Sequence, residues 1–506
     1  MAEPSPQFAK GGSNQLAALD LGSNSFHLMV AQETGGRIQV IDKIKEMVRL
    51  AEGLDDDDNL SEPVISRALA CLERFGQRLR ELPARNVRIV ATNTLRRASN
   101  ASDFLRRAEA ALGHKVEIIS GREEARLIYL GVAHALEDEH DRRLVVDIGG
   151  GSTEIILGHR FQAERTESLY MGCVGLSRTY FADGKIRANQ FKAAVNHAKQ
   201  ELEPVQQAYK SSGWDTAVGA SGTILAIQQV LRNMGLDQSG ITREGLEKIR
   251  KSLLQAKQLE NISLPGLQTE RAAVFPGGVA ILYAIFEALD IELMQATSGA
   301  LREGVIHDLL GRAYQQDVRD TTVRDLVSRY HIDEKHGRKV RETAISLLAQ
   351  AAEAWQLTDP NDARVLTWAA ELHEIGLDIA HSQFHRHGGY LLRYMDMAGF
   401  SSADQRQLAA LVRAHRRKFP MDEGAFTGAD SERMIRLAVL LRIAVVLHRN
   451  RGSAPLPHVG VKVSGDKVRL SLPSQWLERH PLTRLDLEQE AAYLLAVPVK
   501  LSIETD

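Results

Sequence analysis

Cysteine is nearly absent from this chain, because Cys71 and Cys173 are the only two in 506 residues. Two thiols so far apart in sequence indicate neither a disulfide framework nor a cysteine-based metal site. An excess of charge of one sign is also lacking, since 63 Lys and Arg residues oppose 65 Asp and Glu residues and leave a net charge of −2. This balance argues against a globally basic nucleic-acid-binding protein, so no nucleic-acid partner is expected.

Long apolar runs are missing as well. No stretch approaches the roughly 20 residues that a membrane-spanning helix needs. The first 15 residues are polar and lack the apolar centre of a signal peptide. The sequence therefore predicts a cytoplasmic protein, with peripheral association with a membrane left open. At 506 residues, 44% of them hydrophobic, the chain is long enough for three or four domains.

Two stretches of the chain share one pattern, "LDLGSNSFHLMV" at 19–30 and "VVDIGGGSTEIIL" at 145–157. Each places an aspartate and a turn of glycine and serine between two apolar, strand-like runs. Such turns expose backbone N–H groups, and glycine lets a bulky anion approach closely. A single copy would also fit an ordinary hairpin turn, but the matched pair favours two turns that hold a phosphate chain from both sides.

The residues of these turns have predicted roles. The aspartates that open the turns would reach a cation between them, and the turns themselves would donate hydrogen bonds to phosphate. The spacing between the two copies exceeds the 20–50-residue period of solenoid arrays, so the repeat indicates a duplicated domain. The residues concerned are Asp20, Gly22, Ser23, Asn24 and Ser25 in the first copy, and Asp147, Gly149, Gly150, Gly151, Ser152, Thr153 and Glu154 in the second.

Two further stretches carry weaker patterns of the same kind. In "AVGASGTILAIQQVL", at 217–231, a helix begins near Gly222, and its free N–H groups and positive dipole end suit an anion. In "VATNTLRRASN", at 90–100, the planar guanidinium of Arg96 would suit phosphate. Taken locally, a tight strand-to-helix turn and a surface arginine pair explain these stretches equally well.

The stretch "IISGREEARLIYLGV" contains the expected catalytic base. Ser120 followed by Glu123 predicts a capping box at a helix start, which would engage Glu123 with the backbone. Glu124 points about 100° away around the helix and is left available. Beside bound phosphate, its carboxylate would be placed to take a proton from an attacking water. Without the flanking motifs, a glutamate stabilised by the helix dipole would be the simpler interpretation.

Together these motifs resemble the exopolyphosphatase and guanosine-pentaphosphate phosphohydrolase family, within the actin, sugar-kinase and heat-shock-70 ATPase superfamily. The resemblance implies an α/β fold with two ribonuclease-H-like domains and an active site in the cleft between them. It places the catalytic carboxylate on Glu124 and makes Asp147 and Glu154 acidic cleft residues, either cation ligands or groups that position water. The matching pieces are "DLGSNSFHLMV", "ATNTLRRASN", "SGREEARLIYLGV", "VVDIGGGSTEIILG", "MGCVGLSRTYF", "GASGTI" and "SGALREGVIHDLL".

The rest of the chain has a different character. Residues 316–450 have helical periodicity and resemble HD phosphohydrolases, with a departure, since His373 is followed by Glu374 where that family has aspartate. The replacement puts a second metal site in doubt, so this domain is expected to be scaffold. Its basic stretches at 334–342 and 413–419 would either guide a long anion or form solvated helix faces. The predicted domains are 1–137 and 138–315, both ribonuclease-H-like, 316–450, helical and HD-like, and 451–506, a small α+β domain.

The expected reaction is release of orthophosphate from the end of inorganic polyphosphate, with Mg²⁺ bound by Asp20, Asp147 and Glu154 and with Glu124 activating water. A monovalent cation such as K⁺ is left open, and apolar helical faces in 340–450 suggest a homodimer. The alternative is removal of the 5′-phosphate of guanosine pentaphosphate, which the same motifs would serve. A kinase or ATPase of the same fold is a second alternative, but the sequence shows no clear adenosine-pocket pattern. A non-catalytic sensor is a third, and it is disfavoured because clustered carboxylates hinder anion binding.

Overall fold

The computed structural model describes residues 15–34, 37–136, 142–236, 240–313, 317–421, 424–426, 430–452 and 454–505. By its contacts the chain divides into two compact units, Met1–Asp317 and Val318–Asp506. The predicted boundaries at 137/138 and 315/316 lie outside the described residues. Among the described residues, no helix combines the length and apolarity that crossing a membrane requires.

The first unit opens with a five-stranded sheet and its helices. The strand order is β3-β2-β1-β4-β5, with antiparallel pairing from β1 to β3 and parallel pairing of β1, β4 and β5. The elements are β1 (Gln15–Leu21), β2 (Phe26–Thr34), β3 (Arg37–Glu46), α1 (Glu62–Leu79), β4 (Val87–Ala91), α2 (Asn93–Arg97), α3 (Ala101–Leu112), β5 (Val116–Ile118) and α4 (Gly121–Ala135).

A second sheet repeats this order and adds a short edge strand. Its order is β10-β11-β9-β6-β7-β8, so β6 pairs antiparallel with β7 and parallel with β9, as β1 pairs with β2 and β4. The elements are β6 (Arg142–Ile148), β7 (Thr153–His159), β8 (Gln162–Leu169), α5 (Cys173–Tyr180), α6 (Ala188–Ser212), β9 (Thr216–Ala220), α7 (Gly222–Asn233), β10 (Ile241–Thr242), α8 (Arg243–Ala256), α9 (Phe275–Leu289), β11 (Leu293–Ala296) and α10 (Leu301–Ala313).

The central strands of both sheets are buried on both faces. In β1, Leu19 packs in the core of the first half, whereas Ala18 packs in a core shared by the two halves. In β6, Val146 and Val145 divide in the same way. Strands that are covered on both faces have continuous apolar sequences. Because β1 and β6 are such strands, an apolar run precedes the aspartate in each of the two motifs.

The second unit is mainly helical. Its helices and a three-stranded sheet share one hydrophobic core that extends from Val323 to Leu501. The further division predicted at 450/451 stays a prediction, as do the HD-like assignment and the homodimer. The elements are α11 (Val318–Arg329), α12 (Glu334–Ala351), α13 (Pro360–Leu372), α14 (Phe384–Tyr394), α15 (Ser402–Ala414), α16 (Ser431–Leu447), β12 (Gly460–Ser464), β13 (Lys467–Leu472), α17 (Ser474–Arg479), α18 (Pro481–Leu494) and β14 (Lys500–Thr505).

Candidate active site

The two glycine–serine turns lie against each other in the first unit. A Cβ atom added to Gly150 would lie 3.2 Å from the Cβ of Ser23 and 3.5 Å from that of Asn24. One added to Gly151 would lie 2.7 Å from Oδ1 of Asn93. The approach leaves little room for a side chain at these positions, which explains two of the three consecutive glycines of the second turn.

A cavity of about 180 Å³ opens beside the turns. Its walls follow β1, β4, β6 and β9 at their carboxyl ends, the edge at which open α/β sheets bind ligands. Arg96 and Thr153 are the predicted residues that the walls do not include. The predicted residues that line the cavity are Asp20, Gly22, Ser23, Asn24, Ser25, Glu124, Asp147, Gly149, Gly150, Gly151, Ser152, Glu154 and Gly222.

Helix α4 places Glu124 on the cavity wall. Ser120 caps the helix, since its Oγ accepts the backbone N–H of Glu123 at 3.2 Å. The Glu123 carboxylate accepts hydrogen bonds of 2.7 and 2.9 Å from Arg126, so an ion pair that the sequence analysis did not predict holds it, and the reciprocal half of the predicted capping box stays a prediction. The two adjacent glutamates therefore point to different surroundings, one to a buried ion pair and one to the cavity.

Arg96 lies behind Glu124. Its Nη1 atom donates to the carbonyl oxygen of Ile119 at 2.8 Å and lies 3.4 Å from Oε2 of Glu124. In this position the guanidinium counteracts the effect of burial on the Glu124 carboxylate and lowers its pKa. Direct contact of Arg96 with a phosphate stays a prediction, whereas its contact with Glu124 is a feature of the structure.

Four carboxylates gather in the cavity and repel one another. Burial, reinforced by the charges of Glu124 and Asp147, raises the pKa of Asp20 to about 8. Burial and Glu124 raise the pKa of Asp147 to about 7. Burial also raises the pKa of Glu124, and burial with its acidic neighbours raises that of Glu154. The site therefore concentrates negative charge that a cation would stabilise.

The carboxylate set fits Mg²⁺. The Oδ1 atom of Asp20 is buried and makes no hydrogen bond to any described residue. The ligand oxygens of Asp20, Asp147 and Glu154 do not form a group within 4.8 Å of one another among the described residues. Mg²⁺ tolerates such a set, because it usually keeps several waters and binds through one or two carboxylates together with substrate phosphates.

The raised pKa values make the stability of the first unit depend on pH. A carboxyl group whose pKa is raised by folding binds more protons in the native state, so stability falls as pH rises from about 4, the unfolded value, to the native value. In the presence of a metal chelator, Asp20→Asn is expected to raise the Tm at pH 8.5 by ~2–4 °C, which corresponds to about 1 kcal/mol in the free energy of unfolding. The Tm at pH 4 should be unchanged. Differential scanning calorimetry at both values checks this.

Mg²⁺ serves as the matched comparison for Asp20→Asn. It should raise the Tm of the wild type at pH 8.5 more than that of Asp20→Asn, since binding to the native state stabilises it. If Asp20→Asn were no more stable than the wild type at pH 8.5, or were less stable, the conclusion that burial of the Asp20 carboxylate raises its pKa would be wrong.

Several cavity residues were missed in the sequence analysis, and two of them, Arg302 and His27, form a chain with the predicted Ser25. Nη1 of Arg302 lies 2.6 Å from Nδ1 of His27, and Nε2 of His27 lies 2.6 Å from Oγ of Ser25. A guanidinium only donates, so Nδ1 accepts and Nε2–H donates to Ser25. Burial and Arg302 lower the pKa of His27 to about 3, which agrees with this neutral tautomer. The Ser25 hydroxyl hydrogen is thus left for an incoming acceptor.

Lys45 and Arg271 add further positive charge to the cavity walls. Burial, together with Arg271 and Arg302, lowers the pKa of Lys45. A Cβ atom on Gly222 would lie 2.2 Å from Nη2 of Arg271, so glycine at the start of α7 gives the guanidinium its space. In sequence these cations stand outside the glycine-rich motifs, and only the fold brings them to one cavity.

Comparison with protein families gives matches over both units. Residues 29–313 match the Ppx/GppA phosphatase family, and residues 318–491 match the Ppx/GppA phosphatase domain III. Among solved structures, the family member from Aquifex aeolicus is 26% identical, with a TM-score of 0.50, and the match covers 59% of this chain and 98% of that one. An exopolyphosphatase from Cytophaga hutchinsonii has a TM-score of 0.54 at 23% identity over 59% of this chain and 98% of that one, and supports the fold alone.

Curated relatives match nearly the whole chain. A protein of Vibrio vulnificus is 42% identical over 95% of this chain and 96% of its own length. One of Vibrio cholerae is 43% identical over 96% of this chain and 98% of its own length. Both are named guanosine-5′-triphosphate,3′-diphosphate pyrophosphatase. The prediction of inorganic polyphosphate as the principal substrate is therefore wrong, because motifs that serve both activities could not separate them.

Proposed function

The chain belongs to the Ppx/GppA phosphatase family and hydrolyses a phosphoanhydride bond, and we propose that its substrate is guanosine 5′-triphosphate 3′-diphosphate, from which it removes the terminal 5′-phosphate. The observation that carries the proposal is the agreement of name among curated relatives that match 95% or more of this chain. The cavity supports it, since carboxylates and cations together suit a metal-bound polyphosphate ester.

The phosphate chain would lie along the two turns. The backbone N–H group of Gly150 would face it on one side, and the hydroxyls of Ser23 and Ser25 would face it on the other. The N–H of Gly149, which the sequence also suggested as a donor, is already donated to the carbonyl oxygen of Ser152 at 2.9 Å. Ser23 Oγ already accepts a hydrogen bond of 2.8 Å from Thr94, and Ser25 accepts one from His27, so each hydroxyl hydrogen is left to donate to phosphate oxygen. Lys45 would offset the charge of the outer phosphates.

Glu124 would act as the general base. Its carboxylate takes a proton from water as the water oxygen bonds to the terminal phosphorus, while the bond from that phosphorus to the bridging oxygen breaks. The electron pair of that bond stays on the remaining 5′-diphosphate, and orthophosphate leaves. Arg96 keeps Glu124 charged enough to accept the proton, since the guanidinium lowers a pKa that burial raises.

Asp20, Asp147 and Glu154 would hold Mg²⁺. When bound, the ion offsets charge on the phosphate oxygens and on the leaving diphosphate. The three carboxylates, for their part, are kept ionised by that charge, because without a cation burial raises the pKa values of all three. A role for K⁺, the homodimer and a cytoplasmic location stay predictions.

A direct comparison of substrates tests the proposal. The full-length protein with Mg²⁺ should release one orthophosphate per guanosine 5′-triphosphate 3′-diphosphate and leave guanosine 5′-diphosphate 3′-diphosphate. Its kcat/KM for this nucleotide should exceed that for long-chain polyphosphate, per chain end, by at least about tenfold, or ~1.4 kcal/mol. Phosphate release and anion-exchange chromatography measure both. Faster release from polyphosphate, or release of pyrophosphate, would contradict the assignment.

A further inference from the structure

A second group of potential metal ligands lies in the helical unit. His336, His373 and Glu374 are all buried, and one ligand atom from each lies within 4.8 Å of the others. The Oε1 atom of Glu374 lies 4.0 Å from Nε2 of His336 and 4.0 Å from Nε2 of His373. Among the described residues this is the only group of three or more His, Cys, Asp or Glu side chains that meets this distance.

The sequence analysis did not anticipate this group as a whole. It placed His336 in a basic stretch that would either guide a long anion or form a solvated helix face, and it doubted a metal site because Glu374 stands where aspartate is usual. The fold brings α12 against the end of α13, so the first turn of one helix supplies His336 and the C-terminus of the other supplies His373. A glutamate still offers a carboxylate oxygen to the same space.

The hydrogen bonds of His373 leave it in the form that binds a metal. Its Nδ1 atom lies 2.7 Å from the carbonyl oxygen of Ala370, so Nδ1 carries the proton and Nε2 has a free electron pair. That Nε2 atom is buried and has no hydrogen-bond partner in the part of the chain that the structure describes. A buried acceptor without a partner is destabilising, and metal-binding imidazoles are oriented by this kind of backbone hydrogen bond.

His415 repeats the arrangement from the end of α15. Its Nδ1 atom lies 2.5 Å from the carbonyl oxygen of Val412, and its buried Nε2 atom also lacks a partner among the described residues. The centroid of its ring lies 5.2 Å from that of His373. Two imidazoles with unused electron pairs therefore lie next to each other at the edge of the same cluster.

We propose that His336, His373 and Glu374 bind one divalent transition-metal ion of the Zn²⁺ class. Two imidazoles and one carboxylate favour such an ion over Mg²⁺, which prefers oxygen ligands alone. Tetrahedral Zn²⁺ with bonds of about 2.0–2.1 Å holds its ligand atoms about 3.4 Å apart. The separations of 4.0 Å would close by about 0.6 Å around the ion.

Arg451 is the competitor for this site. Its Nη2 atom forms an ion pair with Oε1 of Glu374, and its side chain is 46% exposed. The guanidinium neutralises the charge of Glu374, but Nε2 of His373 still has no hydrogen-bond partner among the described residues. A metal ion would bind both the carboxylate of Glu374 and the electron pair of His373. A metal ion would take Glu374 from Arg451, whose exposed side chain can move into solvent.

The experiment uses the full-length chain after chelation, with excess Mg²⁺ present to occupy the carboxylates of the cleft. Co²⁺ serves as the probe, because its visible absorption reports tetrahedral ligation by imidazole. One equivalent of Co²⁺ should remain after desalting, and Zn²⁺ should displace it. In His373→Ala and in the near-isosteric Glu374→Gln the affinity should fall by more than about 100-fold. Arg451→Gln should bind about tenfold more tightly than the wild type.

The matched control is His331→Asn in the same unit. The side chain of His331 is 82% exposed, and its backbone has a φ of 49°, which asparagine adopts readily. This variant should retain the full equivalent of Co²⁺. Two outcomes would overturn the proposal: wild-type protein that retains no more Co²⁺ than Glu374→Gln, or retention that survives both ligand substitutions. Equal or weaker binding by Arg451→Gln would overturn the competition for Glu374. None of these results depends on hydrolytic activity.

Discussion

Glutamine in place of Glu124 is expected to lower kcat for guanosine 5′-triphosphate 3′-diphosphate by about 10²–10⁴-fold, the usual contribution of a general base. The amide has nearly the same shape as the carboxylate but cannot accept a proton from water. Binding should survive or improve, because the substitution removes a negative charge beside the phosphate chain. Single-turnover phosphate release with saturating enzyme, together with calorimetric titration of the substrate, separates the two effects.

A remote glutamate provides the control for this experiment. Glu62→Gln alters an exposed side chain on α1 that pairs with Arg107, and its kcat should match the wild type. The rate of the wild type should also rise with pH over a range above the usual pKa of glutamate, since burial raises the pKa of Glu124 and only the ionised form accepts a proton. If Glu124→Gln kept the rate of Glu62→Gln, Glu124 would not be the base.

Alanine in place of Gly304 is expected to cause the largest loss of stability. Helices α4 and α10 cross at this point, and a Cβ atom on Gly304 would lie 1.8 Å from the carbonyl oxygen of Leu127. On the facing helix, a Cβ atom on Gly131 would lie 2.0 Å from the carbonyl oxygen of Ala300. Backbone cannot move aside as a flexible side chain does, so the helices must separate at a cost of about 1–3 kcal/mol or more.

Activity should fall with stability in Gly304→Ala, because α4 carries Glu124 and α10 carries Arg302. Gly175→Ala is the matched control, since Gly175 lies within helix α5 and an added Cβ atom would meet nothing within 4 Å. That substitution should stabilise by about 1 kcal/mol through helix propensity. Thermal unfolding and phosphate release measure both variants. A wild-type Tm in Gly304→Ala would show that the helices do not approach as closely as described.

The local motifs of the active site were accessible from sequence for a definite reason. A phosphate-binding turn is built from consecutive residues, so the pattern of apolar run, aspartate, glycine and serine carries its own structure. The repeat of that pattern led to the duplicated sheet, whose strand orders agree in the two halves. Glu124 followed from helix geometry, since Ser120 marks the start of α4 and adjacent helical residues diverge by about 100°.

Residues that act from a distance were not accessible in this way. Arg302 reaches His27 across 275 positions of sequence, and Lys45 and Arg271 reach the cavity from stretches with no motif of their own. The expected contact of Arg96 with phosphate stays a prediction, whereas its contacts with Ile119 and Glu124 were not foreseen. Substrate choice also escaped prediction, because the same motifs would serve both polyphosphate and guanosine pentaphosphate.

The sequence by itself determined the family, the two glycine–serine turns and the helix start that presents Glu124, because short-range backbone geometry and periodic burial are encoded by neighbouring residues. Only the tertiary structure decided which charges share the cavity, which arginine supports the base and which histidines gather around Glu374. Those relations depend on distances between segments far apart in the chain, and such distances exist only after the sheets and helices have packed.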